Sequence, residues 1–406
     1  MEKIHLYQKS ASYLKMLCEE IAERSVGSEG NRQATRFFAE TISALGWQTE
    51  VSELEVMDWH ENGASLQIAD QCFNVLPSPY SLGCSLQAPL AGVSSLAELE
   101  RQEITGRILL LSGEIAKEQL MPKNFVFYNP EEHQKIIALL EQKQPAAIIC
   151  ATGRNPSLAG GAYPFPLIED GDFDIPSVYT TDRVGEDLLA WIGKTAVLES
   201  LATRIPAKAC NVVARKGKER ADCIVVTAHI DAKKGTPGAI DNATGVVTLL
   251  LLADLLKDYE GDRMIEMVAF NGEDYYAAPG QMDYIRRNQS GFKEIILNIN
   301  IDGVGLRESK TAVSFYDLPE AMQAPGHDLA TKFAGIVEGV QWPQGDLSFF
   351  IQYGCPAIAV SSQWLIDHME SQEITHTPKD SMEIVDGRKL VEIAEALNWF
   401  LRKQSR

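Results

Sequence analysis

The chain has 406 residues, 45% of them hydrophobic and 23% charged, with a formal net charge of −19. At ~100–200 residues per domain this predicts roughly two to three domains of ordinary globular composition. The acidic balance excludes a nucleic-acid partner, whose phosphates need a basic surface, and argues against docking on an anionic membrane.

From the N-terminus, Met1 to Leu6 shows no apolar core of a secretory signal. Helical spacing of Tyr13, Leu14, Leu17, Cys18 and Ile21, and again of Phe37, Phe38, Ile42 and Leu45, predicts two helices broken by the Ser/Gly-rich stretch from Ser25 to Asn31. From about Val51 to Pro206 the texture changes to short β-like runs, Ile108 to Leu111, Ala147 to Cys150 and Ile175 to Tyr179. The Gly-, Pro- and Asp-dense segment Pro156 to Phe173 predicts an irregular surface loop. From Cys210 onward strands and helices alternate, and Leu390, Ile393, Ala394, Leu397 and Leu401 share one face of a final helix. No apolar run reaches the ~18 residues of a membrane span, and Thr248 to Leu256 reads as a buried helix. Seven cysteines without C-x-x-C spacing predict reduced thiols and a cytoplasmic location. The simplest organisation is one α/β domain of residues 1–60 and 206–406, interrupted by a β-rich insertion at 61–205.

The chemistry gathers where apolar runs end. Ile224 to Ala228 is closed by His229 and Asp231; Met264 to Phe270 by Asn271, Gly272, Glu273 and Asp274; Ile295 to Ile301 by Asp302. Asp241 and Asn242 open the apolar stretch from Val246, and His376 sits in Thr-His-Thr-Pro-Lys-Asp. Open α/β sheets bind ligands outside the carboxyl ends of their strands. Two imidazoles with several carboxylates form the donor set of zinc, so the pattern predicts metal-assisted hydrolysis. Each piece also has an ordinary reading. Asp241 and Asn242 suit a helix cap, Glu273 and Asp274 suit a solvated acidic pair, and His368 competes with His376. His376 has a rigid turn at Pro378 and Asp380 as a carboxylate within reach; Asp231 can accept from the second ring nitrogen of His229.

The segments TAHIDAKKGTPGAIDNATGV, VAFNGEDYYAAPG, NINIDGVG, PQGDLSFFIQYGCPAIAVSS and THTPKDSMEIVD resemble the co-catalytic di-zinc aminopeptidases, relatives of glutamate carboxypeptidase II. RSVGSEGNRQATRFFAETISALGW resembles their leading helices, so the likeness covers residues near 10–50 and 205–405. The resemblance implies an α/β zinc-exopeptidase fold, a mostly parallel central sheet flanked by helices. It implies two zinc ions: His229 and Asp302 on one, His376 and Asp274 on the other, Asp241 bridging. Glu273 matches the general base acting on a di-metal-bridged water, Asp231 the acid behind the first histidine, and Asp241-Asn242 a cis peptide bond. The implied activity is that of an aminopeptidase on small peptides. A single-zinc cyclase or acyl transferase and an inactive receptor-like binding protein of the same fold are the rivals. The insertion resembles a protease-associated domain through ITGRILLLSG, PAAIICATG and DIPSVYTTDRVGEDLLAWIG.

Three departures stand out. Asp274 replaces the usual Glu and shortens the arm by one methylene. Tyr275-Tyr276-Ala277-Ala278-Pro279-Gly280 replaces a glycine–leucine turn. Gly345-Asp346-Leu347 stands where relatives read Ser-Asp-His.

Overall fold

The computed structural model describes residues 2–404 except 22, 126–128, 153–166, 290, 343–344 and 370–371. The chain divides into two units, Met1–Val56 with Lys208–Arg406, and Met57–Ala207.

In the first unit residues 212–216 of strand β1 (Thr195–Lys216) open a sheet continued by β2 (Glu219–His229), β3 (Arg263–Phe270), β4 (Ile295–Ile301), β5 (Thr311–Tyr316), β6 (Ile336–Glu338) and β7 (Ala357–Ser362). The order is β6-β5-β7-β4-β2-β3-β1. The four central strands β7, β4, β2 and β3 run parallel, while β1 pairs antiparallel with β3 and β5 antiparallel with β7. Residues 223–228 are buried without alternation, because a parallel sheet is covered on both faces.

The helices have local causes. Helix α1 (Glu2–Lys15) runs into a π turn, Met16–Glu20. Helix α2 (Glu29–Ala44) starts three residues after Val26, with Ser28 accepting a cap hydrogen bond from the Asn31 amide at 3.0 Å. Helix α3 (Thr244–Leu255) is apolar all round, and its buried residues run from Thr244 through Asp254. Each leucine from Leu249 to Leu252 is fully buried, worth ~1.5–3 kcal/mol apiece. Helix α4 (Pro279–Asn288) follows β3, and α5 (Gly387–Lys403) packs Leu390, Ile393, Ala394, Leu397 and Leu401 into the same core.

The second unit is a smaller sheet in which Cys84–Val93, Ile108–Leu111, Ala147–Thr152 and Ser177–Thr181 pair parallel in that order. It also carries helices Glu131–Lys143 and Asp182–Leu189. The surface loop expected from Pro156 to Phe173 needs correction: residues 156–166 lie outside the described residues, and Leu167, Ile168 and Phe173 are buried in the core of this unit. Three large apolar side chains outweigh the polar composition of the stretch. Among the described residues no helix is long and apolar enough to cross a membrane.

Candidate metal centre

The register of the central strands brings the site together. Phe270 pairs with His229, and Asn300 with Thr227, so the ends of β2, β3 and β4 lie level on one edge. Parallel strands share direction, so His229, Glu273 and Asp302 leave the sheet on the same side.

Asp241 reaches this edge from the loop before α3. The ordinary reading of this pair as a cap falls to its neighbour: Asn242 Oδ1 accepts from the Gly245 amide at 3.0 Å, and its Nδ2 donates to the Ile301 carbonyl at 2.9 Å. That leaves the Asp241 carboxylate unused by the helix. The Asp241–Asn242 peptide bond is cis. Asp241 Oδ1 lies 3.0 Å from His229 Nε2 and Oδ2 lies 3.1 Å from His376 Nε2, one oxygen for each histidine. His376 Nε2 is also 3.0 Å from Asp274 Oδ1, and His229 Nε2 is 3.6 Å from Asp302 Oδ1. Glu273 stands one step back, with Oε2 3.9 Å from His229 Nε2. His368 is elsewhere employed, stacked on Trp364 at 4.4 Å between ring centroids.

Two expected partnerships are rewired. His229 Nδ1 meets the main-chain oxygen of Asp231 at 3.2 Å, nearer than the Asp231 carboxylate at 3.7 Å. The carboxylate instead collects the amides that follow β3: Gly272 and Glu273 donate to Oδ1 at 2.7 and 3.2 Å, and Asp274 donates to Oδ2 at 3.0 Å. Gly272 has φ +103°, which turns these consecutive amides toward one acceptor. Asp380, expected beside His376, accepts from the amides of Ile240 and Asp241 at 2.6 and 3.0 Å. Each acid therefore fixes the loop that bears a neighbouring acid.

The electrostatics are those of a crowded acidic pocket. Burial, aided by Asp274, Asp302 and Asp346, holds the Glu273 carboxyl well above the usual range. Burial likewise raises Asp302, and raises Asp346 and Asp380 to about 7. Burial pulls His376 down, but Asp274 and Asp241 hold it up at about 10. His229 is raised well above its ordinary value, its carboxylate neighbours outweighing burial. Asp241 goes the opposite way: burial would raise it, but both histidines bring it far below the carboxylate range.

The donor set suits zinc. Ligand atoms about 2.0–2.1 Å from a tetrahedral ion lie roughly 3.3 Å from each other, and the four histidine–carboxylate separations run from 3.0 to 3.6 Å. His229 Nε2 and Asp274 Oδ2 are buried with no hydrogen-bond partner among the described residues, as expected of atoms aimed at a cation.

Residue reasoning missed one neighbour. Asp346 is buried, accepts from Gln281 Nε2 at 2.6 Å, and acts electrostatically on Asp302 and Glu273. It follows Gly345, whose φ is +85° and whose Cβ position lies 3.5 Å from Asp302 Oδ2. The only sequence signal was the aspartate retained inside a departing triplet.

Residues 211–400 match the profile described as Peptidase family M28. The sequence is 24% identical over 231 residues to aminopeptidase YwaD of Bacillus subtilis, covering 55% of this chain and 50% of that one. The fold is similar to that of an aminopeptidase from Aneurinibacillus sp. strain AM-1 (TM-score 0.79, 19% identity, 98% of this chain and 94% of that one). It is also similar to BSAP, titled a zinc aminopeptidase, from Bacillus subtilis (TM-score 0.74, 20% identity, 98% and 95%). The chain spans about half the length of the curated relatives it matches.

Proposed function

Because residues 211–400 belong to peptidase family M28, we propose that the chain is a zinc-dependent exopeptidase, an aminopeptidase acting on small peptides. The observation that carries this is the convergence of His229, Asp241, Asp274, Asp302 and His376 beside Glu273. His229 and Asp302 would hold one ion and His376 and Asp274 the other, with Asp241 giving one oxygen to each. When bound, zinc supplies Lewis acidity toward the scissile carbonyl and lowers the pKa of water at the site.

The protein's own part is proton handling and placement. Glu273 carries no ligand duty in this assignment, so its carboxylate is free to take the proton of the attacking water and pass it to the leaving amine. Its buried setting favours the protonated form, and cations beside it restore the carboxylate that a base requires. Asp231 holds Glu273 and Asp274 by their amides, so base and ligand are set by one acceptor. Residues 61–205 are read as the protease-associated-like insertion. A cytoplasmic setting fits seven cysteines that form no disulfide among the described residues.

The test is elemental analysis together with hydrolysis of aminoacyl-4-nitroanilides, their N-acetylated counterparts and dipeptides. Two zinc per chain and cleavage confined to substrates with a free amino terminus are expected. Equal cleavage of the N-acetylated set would remove the aminopeptidase assignment. One zinc with cyclising activity would favour the cyclase reading, and no metal with no turnover the binding protein.

A further inference from the structure

The hydrogen bonds that hold the loops around the site extend to the N-terminal segment. Arg24 lies between the first two helices and is 2% exposed. Its Nε donates to the Ile230 carbonyl at 3.1 Å, Nη1 to the Leu17 and Pro237 carbonyls at 2.6 and 2.8 Å, and Nη2 to the Gly238 carbonyl at 2.7 Å. Its own carbonyl accepts from the Ala232 amide at 3.3 Å. A charged fork thus spans the loop just after His229 and the turn just before Asp241. At that turn Gly238 has φ +56°, and a Cβ there would stand 2.5 Å from Ala232 Cβ, 2.7 Å from the Asp241 carbonyl oxygen and 2.9 Å from Arg24 Nη2, so only glycine suits this packing.

Asn31 carries the same linkage to the third loop. Its Nδ2 donates to the Arg24 carbonyl at 3.0 Å and to Asn271 Oδ1 at 2.9 Å, while Asn271 Nδ2 donates back to Asn31 Oδ1 at 2.9 Å. Asn271 also donates to Thr35 Oγ1 and the Cys210 carbonyl, and its amide donates to Asn211 Oδ1 at 3.0 Å. Glu273 and Asp274 come two and three residues beyond Asn271. Burying a guanidinium among carbonyls is costly unless its donors are met. Here it joins Leu17 to Ile230, Pro237 and Gly238, the last three on the segments that carry His229 and Asp241.

Resting on the zinc reading above, we propose that Arg24 and Asn31 are positioning residues that clamp the loops bearing His229, Asp241 and Asp274 and thereby set the separation of the metal ligands. Lysine at position 24 would keep the charge but, as a single ammonium, could not reach carbonyls on three segments. The amide pair between residues 31 and 271 is reciprocal, so removing one side leaves the other buried with fewer partners.

The experiment uses the full chain with Arg24→Lys, Asn31→Ala and a control, Ile42→Val, a core change on the helix that carries Asn31. Metal-free melting temperature, zinc affinity by chelator competition and the cobalt(II) d–d absorption are measured for each. We expect both clamp variants, at temperatures where circular dichroism shows them folded, to bind zinc at least tenfold more weakly and to shift the cobalt bands. Ile42→Val should lower the melting temperature and leave both metal readouts unchanged. Clamp variants that melt lower yet bind zinc and colour with cobalt like the parent protein would overturn the proposal, leaving Arg24 and Asn31 merely structural. Should Arg24→Lys not fold, Asn31→Ala decides alone. A parent protein that takes up neither metal would instead sink the zinc reading itself.

Discussion

Asp231 separates two ways of building this site. If it acted on His229, replacing it with asparagine would keep an acceptor oxygen and change little else. The structure assigns it to the loop after β3, where Oδ1 takes the amides of Gly272 and Glu273 and Oδ2 takes that of Asp274. In Asp231→Asn the oxygen can keep the first two bonds, but Nδ2 would face the Asp274 amide at 3.0 Å, donor against donor. One buried N–H is then unsatisfied, at about 1–3 kcal/mol, and the two surviving bonds fall from charged to neutral acceptors at about 1 kcal/mol each. Burying an amide rather than a carboxylate returns part of that. The net loss should be about 2–3 kcal/mol of metal-free stability, read by denaturant titration. Because the mismatch sits at Asp274, the ion that the proposed two-zinc assignment gives to Asp274 and His376 should weaken most, about 10–100-fold in chelator competition. A double variant with Asp274→Ala should show strongly non-additive zinc affinities. If Asp231→Asn weakened only the ion held by His229 and Asp302, or if the double-variant effects simply added, the loop-holding role would be wrong.

Glu273→Gln should cut turnover by about 10²–10⁴-fold with metal content nearly intact, since the amide keeps the shape and cannot take the proton. Asp274→Ala should lose zinc first and activity with it; elemental analysis beside a kinetic assay reads the pair, and reversed results would exchange the two roles. Zinc affinity should rise with pH, because His376 (about 10) and His229, also raised, carry protons near neutrality that zinc must displace, up to two per chain. The same raised values give the metal-free protein stability that is full below the unfolded imidazole value of ~6.5 and is lost as pH rises through about 10. Melting of chelator-treated protein from pH 6 to 10 checks this, and a stability that rose with alkali would contradict it.

Much of the fold was legible because burial leaves a periodic trace. Short runs rich in β-branched residues, such as Ile224–Ala228 and Ile295–Ile301, fit strands of a sheet covered on both faces, and a parallel sheet puts whatever follows them on one edge. The all-apolar helix from Thr244 to Leu255 announced itself in the same way. Composition misled at Leu167–Phe173, where polar and glycine neighbours mask three residues that pack inward. Periodicity records which side chains are buried; it does not say what holds a turn.

Hydrogen-bond destinations account for the rest. His229, Asp241 and Asp302 could be picked out from sequence because each abuts an apolar element. Nothing near Asp231 in sequence hints that its partners lie about forty positions on, at residues 272–274. Asp380 is about 140 positions from the Ile240 and Asp241 amides it holds, and Arg24 more than 200 from Ile230. Local reasoning gave both acids the nearest histidine; in the fold both hold main-chain amides, and the Asp231 carboxylate does so while standing 3.7 Å from His229 Nδ1. The physical reason is supply: a loop that leaves a strand end has unpaired amides that must find an acceptor once buried. A carboxylate meeting two or three of them is better satisfied than one shared with a single ring nitrogen. In an acid-rich centre the same choice has a second effect. With the Asp231 carboxylate on amides, its main-chain oxygen meets His229 Nδ1 at 3.2 Å, and Nε2, on the opposite edge of the ring, has no hydrogen-bond partner among the described residues and faces the acids.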